Sequence, residues 1–95
     1  MTIQIQTIHF SANQELIDFV NKKINKLISI DDSILNAEVY LKVEKPLSHR
    51  NKIAEIKLHS SIHKYFAKKK CNTFEESTDL AIQALRKQIL KQKLK

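Results

Sequence analysis

No glycine occurs anywhere in this chain of 95 residues, and that absence restricts every turn it can make. Two-residue hairpins need positive φ, which glycine reaches at no steric cost, so chain reversals here are expected to be longer. The same absence removes the glycine-rich phosphate cradles of P-loop and dinucleotide-binding proteins, and nucleotide hydrolysis becomes improbable with them. A chain of this length forms one domain, because a second core would starve the first. Apolar residues are 42% of it and charged residues 28%, the balance of a folded globule and not of a disordered tail. So small a core leaves little room for a cofactor or a deep cavity, and neither a cofactor nor a small-molecule substrate is expected.

The apolar residues change period along the chain, and the changes divide it into six elements. Residues 1–10 alternate, with Ile3, Ile5 and Thr7 on one side and Gln4 and Gln6 on the other, as in a strand with one buried face. Ser11 followed by Gln14 has the form of a capping box, and Leu16, Ile17, Val20, Ile24, Leu27 and Ile28 recur at spacings of three and four, which predicts a helix over residues 12–28. Asp31-Asp32-Ser33 is turn chemistry. Ala37, Val39, Leu41 and Val43 then alternate with polar partners as a second strand. Pro46 cannot donate to a ladder and makes residues 45–50 a loop. A third strand over 52–59 turns Ala54, Ile56 and Leu58 toward the core, residues 60–64 reverse the chain, and 65–70 return as a fourth strand. Thr73 with Glu76 caps a last helix whose stripe is Phe74, Thr78, Ala81, Ile82, Leu85 and Ile89. The order is β-α-β-β-β-α, an α+β fold in which two helices pack on one face of a four-stranded sheet. Gln4, Gln6, Glu38, Lys42, Glu55 and Lys57 are left on the wet face.

No apolar run exceeds three residues, against roughly 20 for a membrane span, so no membrane association is expected. The start of the chain has no signal-peptide pattern, and the lone Cys71 permits no internal disulfide. Both suit a cytoplasmic location. Reactive groups are sparse. His59 and His63 straddle a strand end and its turn without the third and fourth ligands that zinc wants. The carboxylate pairs Asp31-Asp32 and Glu75-Glu76 are explained as a turn and a helix N-terminus. Cys71 has Lys68, Lys69 and Lys70 beside it, surroundings that can activate a thiol, although an incidental thiol at a strand end explains it as well. No catalytic and no metal site is expected.

Charge is the informative property. Seventeen basic and ten acidic side chains give +7, unevenly placed: residues 42–70 hold nine basic against two acidic groups, and no acid follows Asp79. A polyanion is the natural partner. On a helical wheel Lys22, Lys23 and Lys26 group on one flank of the first helix. Phe19 beside them either closes the edge of the core or offers a face for base stacking. Arg86, Lys87, Lys91 and Lys93 spread over the exposed side of the last helix. Such rows suit phosphates spaced along RNA.

These residues carry a family pattern. The opening Ile-rich strand, Phe19-Val20 followed by Lys23 and Lys26-Leu27, and the run Leu41-Lys42-Val43-Glu44-Lys45 belong to it. So do Phe66-Ala67-Lys68 and the final helix, from Thr73-Phe74-Glu75-Glu76-Ser77-Thr78-Asp79 to Ala84-Leu85-Arg86-Lys87-Gln88-Ile89. The chain resembles the short form of the hibernation-promoting factor family, also called ribosome-associated inhibitor A or ribosomal subunit interface protein. It departs from the pattern at Thr73-Phe74-Glu75, where many members have Asp-Met-Tyr, and at residues 60–64, where they have a glycine-bearing hairpin. The resemblance implies a fold similar to double-stranded-RNA-binding domains. It also implies binding to the small ribosomal subunit and its 16S-type rRNA, where messenger RNA and tRNA anticodons lie, and ribosome hibernation through inhibition of translation without chemistry. Lys23, Lys26, Lys87, Lys91 and Lys93 fall at basic positions of the family pattern, and Lys22 and Arg86 join them from the helical wheel. With the chain ending at Lys95, a dimerisation domain of the long form is not expected, and the free protein is expected to be a monomer. Two other classes stay open: a general RNA-binding or chaperone module with no fixed ribosomal site, and a small enzyme of ferredoxin-like kind.

Overall fold

The computed structural model describes residues 2–44 and 50–94. Its elements are β1 (Thr2–Ile8), α1 (Gln14–Ile28), β2 (Ile34–Val43), β3 (Lys52–Ser60), β4 (Lys64–Cys71) and α2 (Phe74–Lys93), the expected order. The strands form one sheet in the order β1-β2-β3-β4. β1 runs parallel to β2, because α1 carries the chain back between them, and the other neighbours are antiparallel. The expected loop at 45–50 lies outside the described residues except for Arg50, a bend.

Both helices lie on one face. Leu16, Val20, Ile24 and Leu27 of α1 and Phe74, Ala81, Leu85 and Ile89 of α2 are buried against Ala37, Val39 and Leu41 of β2 and Ala54, Ile56 and Leu58 of β3. Each fully buried Leu or Ile contributes about 2 kcal/mol, so this layer supplies most of what drives folding. Ile3 and Ile5 pack against the same core, but Thr7, expected beside them, is exposed. It is a polar residue near the end of an edge strand, with little apolar surface to gain by burial.

Helix α1 begins later than its capping-box pattern implied. The cap is Asn13, whose side-chain oxygen accepts the Leu16 N–H at 2.9 Å, and not Ser11. Either residue type can cap. β1 ends at Ile8, and His9 after it takes φ 69°. Phe10 then stacks on Phe74, ring centroids 4.6 Å apart. α2 starts where its sequence placed it: Thr73 accepts the Glu76 N–H at 3.1 Å. β2 begins three residues before Ala37, because Ile34 is buried, a register shift follows it, and Leu35 is turned outward.

The hairpin between β3 and β4 shows how a glycine-free chain reverses. The Ser60 N–H donates to the His63 carbonyl at 2.8 Å, and the Ser60 hydroxyl donates to that same carbonyl at 2.9 Å. That hydroxyl also accepts the N–H groups of Ile62 and His63 at 3.2 and 2.6 Å. A side chain thus satisfies the turn's polar groups, and none of its residues takes positive φ. The Asp31 turn works likewise, its carboxylate accepting the Ser33 N–H and hydroxyl at 2.9 and 2.7 Å. These bonds, the hydroxyl's first, hold the Asp31 carboxyl below its usual range.

On the uncovered face, Glu38 sits at the centre of a small polar cluster. His59 Nε2 lies 2.7 Å from one carboxylate oxygen, and the Tyr40 hydroxyl donates to the other at 3.1 Å. The His59 bond, and next the Tyr40 bond, hold the Glu38 carboxyl below its ordinary value. The same bond raises the Tyr40 phenol, whose proton the carboxylate retains. Thr2, Gln4 and Asn36 complete a shallow polar hollow around this cluster.

Two outcomes follow from these contacts. Asn13→Ala should lower the unfolding free energy by about 1 kcal/mol in urea, while Ser11→Ala should change it by under about 0.5 kcal/mol. A depressed carboxyl stabilises the fold above its unfolded pKa, and that contribution is lost as pH falls through the folded value. In a carbon-13 NMR titration Glu38 should therefore titrate below an ordinary Glu, and His59→Gln should move it upward toward the ordinary value.

Candidate nucleic-acid interface

The two helices pack side by side and leave a groove between them, lined by Lys23, Lys26 and Leu27 of α1 and Asp79, Ile82, Gln83 and Arg86 of α2, with a volume of about 190 Å³. Leu27, a buried member of the stripe of α1, and Ile82, a half-buried member of the stripe of α2, form its apolar floor. The next positions around each helix are basic, which sets cations along its rims. Lys23 Nζ stands 3.2 Å from Asp79 Oδ1 and 5.4 Å from the Phe19 ring centroid. Phe19 is half-buried and packed against the core. It closes the core edge while its ring carries Lys23, so the first of its two expected roles holds. An ion pair this exposed contributes at most about 1 kcal/mol and is readily exchanged for another anion.

Of the seven residues that the sequence marked, the fold brings Lys23, Lys26 and Arg86 to one groove, and Lys22 stands exposed on the same flank of α1. Lys87 and Lys91 project into solvent four residues apart on α2, away from the groove. Lys93 is exposed, but its ammonium donates to the Ile30 carbonyl and ties the end of α2 to the segment after α1. That tie joins residues 63 apart, and no local pattern announces it. Asp79 was also missed as part of the groove, since an acid in the first turns of a helix is explained by the helix dipole alone.

Among the described residues no group of three or more His, Cys, Asp or Glu side chains could hold a metal ion. His59 is engaged by Glu38, and Cys71 is buried at the end of β4. Among them, too, no helix is long and apolar enough to cross a membrane. The groove offers hydrogen-bond donors and positive charge around a narrow apolar floor. That arrangement is complementary in charge to an anionic backbone.

Two solved structures share this architecture. A ribosomal subunit interface protein from Coxiella burnetii is 21% identical, with a TM-score of 0.88 and 100% of both chains covered. The N-terminal domain of Protein Y from Thermus thermophilus is 21% identical, with a TM-score of 0.79 over 94% of this chain and 96% of that one. At such identity the likeness is one of fold. No curated protein matches the sequence. The family model of the Sigma 54 modulation protein / S30EA ribosomal protein matches residues 3–95, which takes in every element described above and both basic helices. By that match the chain belongs to the Sigma 54 modulation protein / S30EA ribosomal protein family.

Proposed function

We propose that this protein is a ribosome hibernation factor, which binds the small ribosomal subunit through its two helices and blocks translation by occupying the decoding region. The observation that carries this is the convergence of Lys23, Lys26 and Arg86 on one groove, with Lys22 exposed on the same flank of α1 and Lys87 and Lys91 exposed on α2 away from it, in a member of a ribosomal protein family. Ribosomal RNA supplies the matching partner, since phosphates along its backbone exchange their counterions for lysine and arginine side chains. Lys93, held to Ile30, stiffens the end of α2 and adds charge there.

Inhibition on this reading needs occupancy only. A domain that fills the space of messenger and anticodon stops initiation without a cofactor, a substrate or a covalent step. The protein acts in the cytoplasm, as a single domain that is monomeric when free. The name of one structural neighbour, a ribosomal subunit interface protein, accords with that role.

The test is sucrose-gradient sedimentation of the protein with subunits and whole ribosomes, paired with translation in vitro. It should travel with small subunits and vacant ribosomes, and ribosomes preloaded with messenger RNA and initiator tRNA should bind it far more weakly. Equal binding to both would refute the location, and equal binding to free duplex RNA would make it a general RNA-binding module. Replacing Lys23, Lys26, Lys87 and Lys91 together by Gln should abolish ribosome binding with an unchanged circular dichroism spectrum. Each charge removed singly should lower the salt slope of binding by about one.

A further inference from the structure

The helix site leaves most of the positive charge without a role. Residues 42–70 hold nine basic and two acidic side chains, and none of the helix-face cations lies among them. The strand register shows where much of this charge goes. Glu38 pairs with Lys57 and Lys57 with Phe66, Tyr40 with Glu55 and Glu55 with Lys68, Lys42 with Ile53 and Ile53 with Lys70, and His59 with Lys64. Directly paired residues share a face, so Lys42, Lys57, Lys64, Lys68 and Lys70 all lie on the side of the sheet that neither helix covers. Two of the acids near them are already engaged, Glu38 by His59 at 2.7 Å and Glu44 by Lys70 at 2.9 Å.

The same face presents aromatic rings among the lysines. Phe66 is 47% exposed directly opposite Lys57. Tyr40, half-buried on β2, has the Lys57 ammonium 5.7 Å from its ring centroid. Phe66 is also held firmly. Its N–H donates to Gln88 Oε1 at 3.3 Å, and its carbonyl accepts from Gln88 Nε2 at 2.8 Å. One side chain of α2 therefore satisfies both outward backbone groups of β4 at that residue, and the ring stands on a fixed strand. A lone exposed apolar residue is ordinary. An exposed ring on a fixed strand, set among cations on a sheet face, is the arrangement on which unpaired bases stack while lysines take the flanking phosphates.

We propose that the uncovered sheet face is a second RNA surface, which stacks bases of single-stranded RNA on Phe66 and Tyr40 and holds the adjoining phosphates with Lys57, Lys64 and Lys68. Every base has a π-face, so recognition there is tolerant of sequence, and a duplex, whose bases are already stacked, is excluded. The proposal stands apart from the helix-face function, and one domain would thereby touch RNA on two opposite sides.

Fluorescence anisotropy of the full chain with fluorescein-labelled decauridine tests it, alongside NMR of the nitrogen-15-enriched protein with unlabelled decauridine. Phe66→Leu, which keeps an apolar side chain and removes the π-face, should weaken binding about tenfold with the salt slope unchanged, and Phe66→Tyr should restore it. Lys57→Gln with Lys68→Gln should lower the slope by about 1.4, about 0.7 for each phosphate contact to a single strand. In the unaltered protein the largest amide shifts should fall at residues 40, 57, 64, 66 and 68, which tests the site even if a variant fails to fold. Shifts confined to 22–26 and 86–93, undiminished binding by Phe66→Leu, or competition by duplex RNA or polyglutamate as strong as by unlabelled decauridine would each overturn the proposal. The variant with four helix lysines replaced by Gln should keep Phe66-dependent decauridine binding while losing ribosomes, so failure of either surface is seen separately.

Discussion

Val39, Leu41, Ala54, Ile56 and Leu58 of the two central strands have no exposure to solvent, and both helices are used up in achieving it. A chain this short has no third layer to lay on the other side, so the sheet is apolar on one face and polar on the other. Where the cations sit follows from that constraint. The helices must turn their apolar stripes inward, which sends Lys22, Lys26, Arg86, Lys87 and Lys91 outward. The strands must turn alternate residues away from the helices, which sends Lys57 of β3 and Lys64, Lys68 and Lys70 of β4 to the opposite surface. A thin domain of this kind carries its charge on two broad sides instead of around a pocket.

The elements with unbroken periodicity were the ones legible in the sequence. β3, with Ala54, Ile56 and Leu58 in strict alternation, appears within one residue of its expected limits, and α2, with a stripe at spacings of three and four, starts at its expected Thr73 cap. Errors fell where one side chain changes the local geometry. Ser11 and Asn13 are both competent caps, and residue type alone does not decide between them. The register shift after Ile34 puts a leucine into solvent, so periodicity misses the first residues of the strand. Tertiary structure settles both cases, and no local propensity contains it.

Site residues follow the same division. Lys23, Lys26 and Arg86 could be found because helical spacing predicts which side each faces, and docking the two helices side by side then brings the three together. What escaped was everything that depends on pairing between distant segments: the Lys93 bond to Ile30, the Lys23 pair with Asp79, the hold of Gln88 on Phe66 and the His59 pair with Glu38. Glu38 and Lys57 were placed on the wet face from alternation alone, but alternation does not say which strands are neighbours. Strand order makes Phe66, Lys57 and Glu38 one row, and no window of sequence includes all three.

The absence of glycine also acts on the chain before it folds. Glycine is the residue with the most backbone freedom to lose, and replacing one by alanine where the native conformation permits stabilises a protein by about 0.4–1 kcal/mol through the unfolded state alone. With none present, the unfolded ensemble of this chain is narrower than that of an ordinary sequence of its length, and less entropy is surrendered on folding. Among the described residues only His9 and Arg50 offset this, by sitting at positive φ in β-carbon-bearing backbones. A small core with no disulfide thus gains stability from conformations the chain is denied, a source that occupies none of its surface and leaves the lysines free for a ligand.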